Sequence, residues 1–185
     1  MIPFEDLIWL FNSDETTRGI IRMNLAEAAL LFKYVKKTCN TENEKNIIEI
    51  GRKFGGSTAI LASNLGPHDC VYSIDIKEND RAKSTLEKIG TVPNLHLITG
   101  DSKKIGETWK DPISLILIDG DHSYKGVKSD ADIWLPHVIQ FGYAFFHDVI
   151  GKKQELKPII DNLLKNGWSE EAKADSLLCL QKNVN

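Results

Sequence analysis

The stretch Asn46 to Gly66, NIIEIGRKFGGSTAILASNLG, reads as strand, tight loop, helix. Ile47, Ile48 and Ile50 form a short β-branched run suited to a strand buried on both faces. Glu49 interrupts it near the C-terminal end, where sites form on open α/β sheets. Gly51 permits a sharp turn, and Gly55 and Gly56 permit close backbone approach. Ser57 or Thr58 is placed to cap a helix from Ala59 to Leu65, which Gly66 and Pro67 end. The loop then aims unpaired helix N–H groups at whatever lies above the strand, a setting for a carboxylate or a phosphate. A plain strand–turn–helix with glycines for packing would carry the same letters, so the rest of the chain must decide.

Downstream, strand and helix alternate. Cys70 to Ile76 is a strand ending in Asp75, and Asn79 to Ile89 a helix stopped by Gly90. Asn94 to Thr99 is a third strand, followed by Gly100, Asp101 and Ser102, with a short helix from Ser102 to Lys110. Ile113 to Ile118, ISLILI, is the most apolar strand and belongs near the sheet centre. It runs into Asp119-Gly120-Asp121-His122-Ser123-Tyr124 and a helix from Tyr124 to Leu135. Tyr143 to Phe146 is a fifth strand, ending in His147 and Asp148. Pro158 suits the first turn of a helix through Lys165. Trp168 to Ala172 and Ser176 to Gln181 close the chain as a hairpin. The pattern predicts an α/β fold: one domain, residues 1–185, with a doubly wound, mostly parallel seven-stranded sheet and a C-terminal hairpin that places an antiparallel strand at one edge.

Upstream, Pro3 to Phe11 and Asn24 to Lys37 have helical spacing, and Asn24 with Glu27 makes a capping-box start. These N-terminal helices, residues 1–40, are read as a cover for the sheet, with a lid or a homodimer face as alternatives.

Composition bounds the function. The chain has 185 residues, a formal net charge of -3 and a pI near 6.0, which speaks against nucleic acid as a partner. No apolar run approaches a membrane span, and MIPFEDLIWLF lacks the features of a signal peptide. Cys39, Cys70 and Cys179 are widely spaced and read as buried thiols in a reducing compartment, so a cytoplasmic location is expected.

Five acids, Glu49, Asp75, Asp101, Asp119 and Asp148, fall at or just beyond the C-terminal ends of predicted strands. Singly, each is an ordinary cap or turn residue. Together they converge on one crevice. A carboxylate after the second strand can accept both hydroxyls of a ribose, and one after the third can accept from an adenine amine. Two ligands fit, a dinucleotide and S-adenosylmethionine. The dinucleotide fingerprint wants Gly-x-Gly-x-x-Gly, and Lys53 stands where its second glycine belongs. S-adenosylmethionine has no phosphate. Gly56, Ser57 and Thr58 can donate to its carboxylate, and Glu49 can accept from its ammonium.

These segments resemble the class I S-adenosylmethionine-dependent methyltransferases, and among them the macrocin O-methyltransferase and cephalosporin-hydroxylase-like branch, of the methyltransferase family 24 type. The residues carrying the resemblance are Glu49-Ile50-Gly51, Gly55 to Thr58, Ser73-Ile74-Asp75, Gly100-Asp101-Ser102, Ile118 to Tyr124 with Gly126, Val127 and Asp130, and Phe145 to Asp148. It runs from about Asn24 to the C-terminus and departs at Arg52 and Lys53. It implies a Rossmann-like methyltransferase fold, with Gly51 and Gly55 in the cofactor loop, Asp75 at the ribose and Asp101 near the adenine. Phe54, Ile76, Ser102 and Asp119, which flank these positions, complete the expected cofactor set. It also implies a divalent cation, Mg²⁺ or another, for which Asp119, His147 and Asp148 are the candidate ligands.

Methyl transfer requires alignment and removal of a proton. Asp121 and His122 are the candidate bases, against a plain role in capping and packing. The acceptor is expected to be a small-molecule hydroxyl, since the segment after the fourth strand is Asp-Gly-Asp-His, without the Pro-Pro-aromatic sequence of amino-methylating enzymes. A nicotinamide-dependent oxidoreductase and a non-catalytic S-adenosylmethionine-binding module are the competing readings.

Overall fold

A computed structural model describes residues 1–12, 19–39, 43–90, 92–149 and 154–183. Its centre is a seven-stranded sheet: β1 (Asn46–Ile50), β2 (Cys70–Asp75), β3 (Leu95–Thr99), β4 (Ile113–Ile118), β5 (Val138–Phe146), β6 (Trp168–Ala174) and β7 (Leu177–Lys182). The strands lie in the order β3-β2-β1-β4-β5-β7-β6. The first five are parallel, and β7 is antiparallel to both of its neighbours. ISLILI takes the middle position, and every residue in it is buried.

The strand order reverses between β1 and β4, so a crevice opens there beyond the C-terminal strand ends. Alternation along the strands divides the core in two. Ile47, Leu115 and Leu117 face a layer that includes a 3₁₀ helix (Phe4–Phe11), α1 (Leu25–Cys39) and α2 (Gly56–Ala62). Ile48, Ile50, Ile116 and Ile118 face a layer with α5 (Tyr124–Trp134) and α6 (Lys157–Lys165). Helices α3 (Asp80–Glu87) and α4 (Ser102–Thr108) complete the crossovers. The capping box is formed: Asn24 Oδ1 accepts from Glu27 N at 3.0 Å, and Asn24 N donates to Glu27 Oε2 at 2.8 Å. Among the described residues no helix is long and apolar enough to cross a membrane.

Four expectations need correction. The antiparallel strand is not at the edge. Leu177 to Leu180 are buried, so β7 takes an inner place and the charged, largely exposed β6 becomes the rim. Helix α2 starts at Gly56 rather than Ala59, and neither Ser57 nor Thr58 caps it. Gly55 stands at the cap with φ 79°, and both hydroxyls turn inward to Glu49. Strand β5 starts at Val138 rather than Tyr143. Ile113 pairs with Val138 and Leu115 with Tyr143, so the intervening residues bulge out, with Phe141 at φ 62°. Finally, all three thiols are free, but only Cys179 is buried, while Cys39 and Cys70 are half-buried.

Candidate active site

The crevice holds a cavity of about 1100 Å³. Gly51, Phe54, Gly56, Ser57, Asp75, Ile76, Asp101, Ser102, Asp119, Asp121, His122, His147 and Asp148 all line it, as does the segment from Gly19 to Asn24. Glu49, Gly55 and Thr58 do not.

Glu49 lies beneath the loop with no exposed surface. It accepts from Ser57 Oγ at 2.5 Å, from Thr58 Oγ1 at 2.6 Å and from Ser73 Oγ. Burial raises its pKa against these bonds. Its observed role is to anchor the start of α2 to β1 and β2. The hydroxyls expected to meet a ligand carboxylate are therefore occupied, and the acid expected to meet an ammonium is closed off.

Above it the glycine loop is bent tightly. Gly51 has φ +96°, and a Cβ there would lie 2.2 Å from the Asp119 carbonyl oxygen. Lys53 has φ 48° and is exposed, so the residue standing in place of a second glycine adopts a glycine-like backbone and turns its side chain outward. Arg52 folds back under the loop and is 4% exposed, with Nη1 donating to the Ser73 carbonyl at 2.5 Å. Asp75, at the end of β2, accepts from Arg52 N at 3.0 Å and Lys53 N at 2.8 Å through one oxygen, and from Lys77 N at 3.0 Å through the other. Beside it Ile76 is 65% exposed, an apolar face held open on the cavity wall. Asp101 caps α4 by accepting from Lys103 N. Ser102 Oγ donates to Asp130, whose pKa burial raises.

The other side of the crevice is built by β4 and β5. Asp119 Oδ1 lies 2.9 Å from His147 Nδ1, and Glu27 Oε2 lies 3.4 Å from His147 Nε2. Glu27 is 3% exposed and also accepts from Ser176 N at 2.9 Å and Ser176 Oγ at 2.5 Å. Burial disfavours the imidazolium, but the bond to Asp119 and the charges of Asp119, Glu27 and Asp148 outweigh it, and the His147 pKa rises to about 9. His147 is thus a cation at neutral pH, with both ring nitrogens carrying protons towards carboxylates. Asp148 adopts φ 60°, a conformation aspartate tolerates. His122 Nδ1 lies 3.8 Å from Asp148 Oδ2 and 3.9 Å from Asp119 Oδ1. Asp121 accepts from Ser123 N at 2.9 Å and Ser123 Oγ at 3.0 Å, which lowers its pKa. Ser123, not Asp121, caps α5 by accepting from Gly126 N.

This arrangement does not fit the expected three-ligand cation site. His147 Nδ1 faces Asp119 and its Nε2 faces Glu27, and among the described residues no group of three or more His, Cys, Asp or Glu is placed to hold a metal ion.

Two residues were missed from the sequence. The capping-box pattern explains Glu27 locally and hides its reach to His147 and Ser176. Arg22 carries no motif signal. Yet its guanidinium carbon lies 5.1 Å from the Phe54 ring centroid, and its Nε and Nη1 are buried with no hydrogen-bond partner among the described residues.

The comparison with curated proteins gave no match. Solved structures match over most of their length. An O-methyltransferase of tomaymycin synthesis from Streptomyces achromogenes, TomG, solved in complex with SAM, is 14% identical at TM-score 0.72, covering 88% of this chain and 82% of its own. A protein from Staphylococcus aureus, provisionally assigned as a caffeoyl-CoA O-methyltransferase, is 19% identical at TM-score 0.70, covering 89% and 86%. An rRNA methylase from Streptococcus thermophilus is 15% identical at TM-score 0.69, covering 88% and 99%. At these identities the likeness speaks for the fold. A family profile described as a methyltransferase domain matches residues 48–149, more than half of the chain and all of the strand ends that build the cavity. The chain therefore belongs to this methyltransferase family, within the class I S-adenosylmethionine-dependent enzymes.

Proposed function

We propose that the protein transfers a methyl group from S-adenosylmethionine to a hydroxyl of a small molecule, without a metal ion. The observation that carries this is the grouping of His122 between Asp119 and Asp148 at the mouth of a cavity whose other half is the glycine loop and Asp75. Bound there, S-adenosylmethionine supplies an electrophilic methyl on a sulfonium. The donor set suits it: Asp75 presents acceptors for ribose hydroxyls, Ile76 an apolar face for the adenine, and Asp101 and Ser102 polar groups at the adenine edge. The family match favours this cofactor over the nicotinamide reading.

The remaining work is proton removal. His122 takes the hydroxyl proton, and the carboxylates on either side stabilise the imidazolium that results. Asp121 is the weaker base, because Ser123 stabilises its ionised form. His147 acts through Asp119, holding that carboxylate beside His122. A base from the chain is preferred to a cation because both ring nitrogens of His147 face carboxylates, Asp119 and Glu27. Residues 1–185 are taken as one domain. The three free thiols fit a reducing, cytoplasmic setting.

The test is a screen of small hydroxyl-bearing metabolites with methyl-labelled cofactor, run with and without a chelator. Label transfer to oxygen that persists in chelator is the expected result. Transfer to nucleic acid alone, or activity that disappears with the chelator and returns with Mg²⁺, contradicts the proposal.

A further inference from the structure

Arg22 lines the cavity with Nε and Nη1 buried and without a hydrogen-bond partner among the described residues. Its guanidinium stacks near Phe54, at the tip of the glycine loop, and Arg81 lies near the same ring at 4.8 Å from its centroid. The segment carrying Arg22 crosses directly over the start of α2: a Cβ on Gly56 would lie 2.6 Å from Ile21 Cα. Arginine stays charged in proteins, and buried charged donors without acceptors are costly. The donors first expected to take a carboxylate here, Ser57 and Thr58, are bonded to Glu49. Asp75, Asp101, Asp119 and Asp148 line the cavity at the strand ends, and Arg22 lines it beside the glycine loop, with Lys53, Lys77 and Lys103 also on its wall.

Resting on the cofactor reading above, we propose that Arg22 is the carboxylate clamp of the cavity, closing its guanidinium fork on the carboxylate of the cofactor's amino acid end. Rotation about the terminal side-chain torsions turns Nε or Nη1 to the incoming anion, and a planar fork matches a carboxylate in two parallel bonds. Phe54 holds the guanidinium plane against the loop, so Arg22 ties the N-terminal segment to the cofactor as well as to the sheet. The alternative source of the same anion is a carboxylate on the methyl acceptor.

The experiment is calorimetric titration of the wild type, Arg22→Met and Arg22→Lys with two nucleosides, S-adenosylhomocysteine and 5′-methylthioadenosine. The second lacks the amino acid end. Arg22→Met keeps much of the packing on Phe54. It should lose about 10- to 100-fold in affinity for S-adenosylhomocysteine, the range of a charged hydrogen-bonded pair, and stay within about twofold for methylthioadenosine. Arg22→Lys keeps the charge without the fork and should fall between; it also serves if the methionine variant does not fold. Equal losses on both ligands would assign Arg22 to packing and overturn the proposal. Unchanged affinity for S-adenosylhomocysteine would overturn it in favour of the acceptor's anion. A wild type that binds neither nucleoside would sink the cofactor reading itself, and the clamp with it.

Discussion

Raising the pH should loosen this protein through one side chain, His147. In the fold its pKa is about 9, and in the unfolded chain about 6.5. Between those values the unfolded chain releases the proton while the folded protein keeps it, so stability falls as pH rises. The contribution is fully present below about pH 6.5 and is lost through about pH 9. His147 is 7% exposed, so solvent screening takes little from it. From pH 6.5 to 8.5 the loss works out at on the order of 2 kcal/mol. The groups facing the ring are Asp119, Glu27 and Asp148, all carboxylates. The assay is urea unfolding of the wild type and His147→Gln at half-unit pH steps, reading the slope of stability against pH rather than its absolute value. Stopping at pH 8.5 limits the contribution of the Cys39 and Cys179 thiols, whose pKa burial pushes up and whose own loss grows as pH rises above the unfolded thiol pKa. The wild-type slope should be negative and the variant's close to flat. A variant with the full wild-type slope, or a wild type that gains stability over this range, would refute the assignment of a protonated His147 between Asp119 and Glu27.

Other perturbations follow from the same geometry. Gly51→Ala should destabilise the fold by at least about 2 kcal/mol in denaturant unfolding, from the left-handed backbone and the contact with the Asp119 carbonyl; a loss under about 0.5 kcal/mol would mean the turn is relaxed. Asp75→Ala should weaken binding of S-adenosylhomocysteine by about 10- to 100-fold in calorimetry, and unchanged affinity would remove Asp75 from the ribose. Once an acceptor is found, His122→Gln should lower kcat by about 10²- to 10⁴-fold while Asp121→Asn leaves most of it; the reverse order would move the base to Asp121.

Much of the fold can be read from local pattern. ISLILI is a buried central strand because a parallel strand covered on both faces reads as a nearly continuous apolar run, and that pattern needs no partner to be seen. Asn24 and Glu27 announce a helix start because both halves of the box lie within one turn. What could not be read depends on side chains that meet from far apart. Glu49 was assigned to a ligand because it sits at a strand end, but Ser73 on the neighbouring strand and the two hydroxyls of α2 enclose it. Glu27 reaches Ser176 across 149 residues, and no local signal marks that bond. The β5 boundary was missed because the bulge breaks alternation, and the β6–β7 order because a hairpin alone does not say which strand lies inside. Of the candidate site, the row of acids was legible. Its division was not: Asp75, Asp101, Asp119 and Asp148 line the cavity, while Glu49 lies beneath the loop.

The central claim is that this crevice is shaped for S-adenosylmethionine and not for a dinucleotide. Calorimetric titration of the purified chain with S-adenosylhomocysteine and with NAD, under one buffer condition, tests it most directly. Saturable one-to-one binding of S-adenosylhomocysteine, with NAD at least about 100-fold weaker, is the predicted result. NAD binding as tightly as S-adenosylhomocysteine, or more tightly, would contradict it.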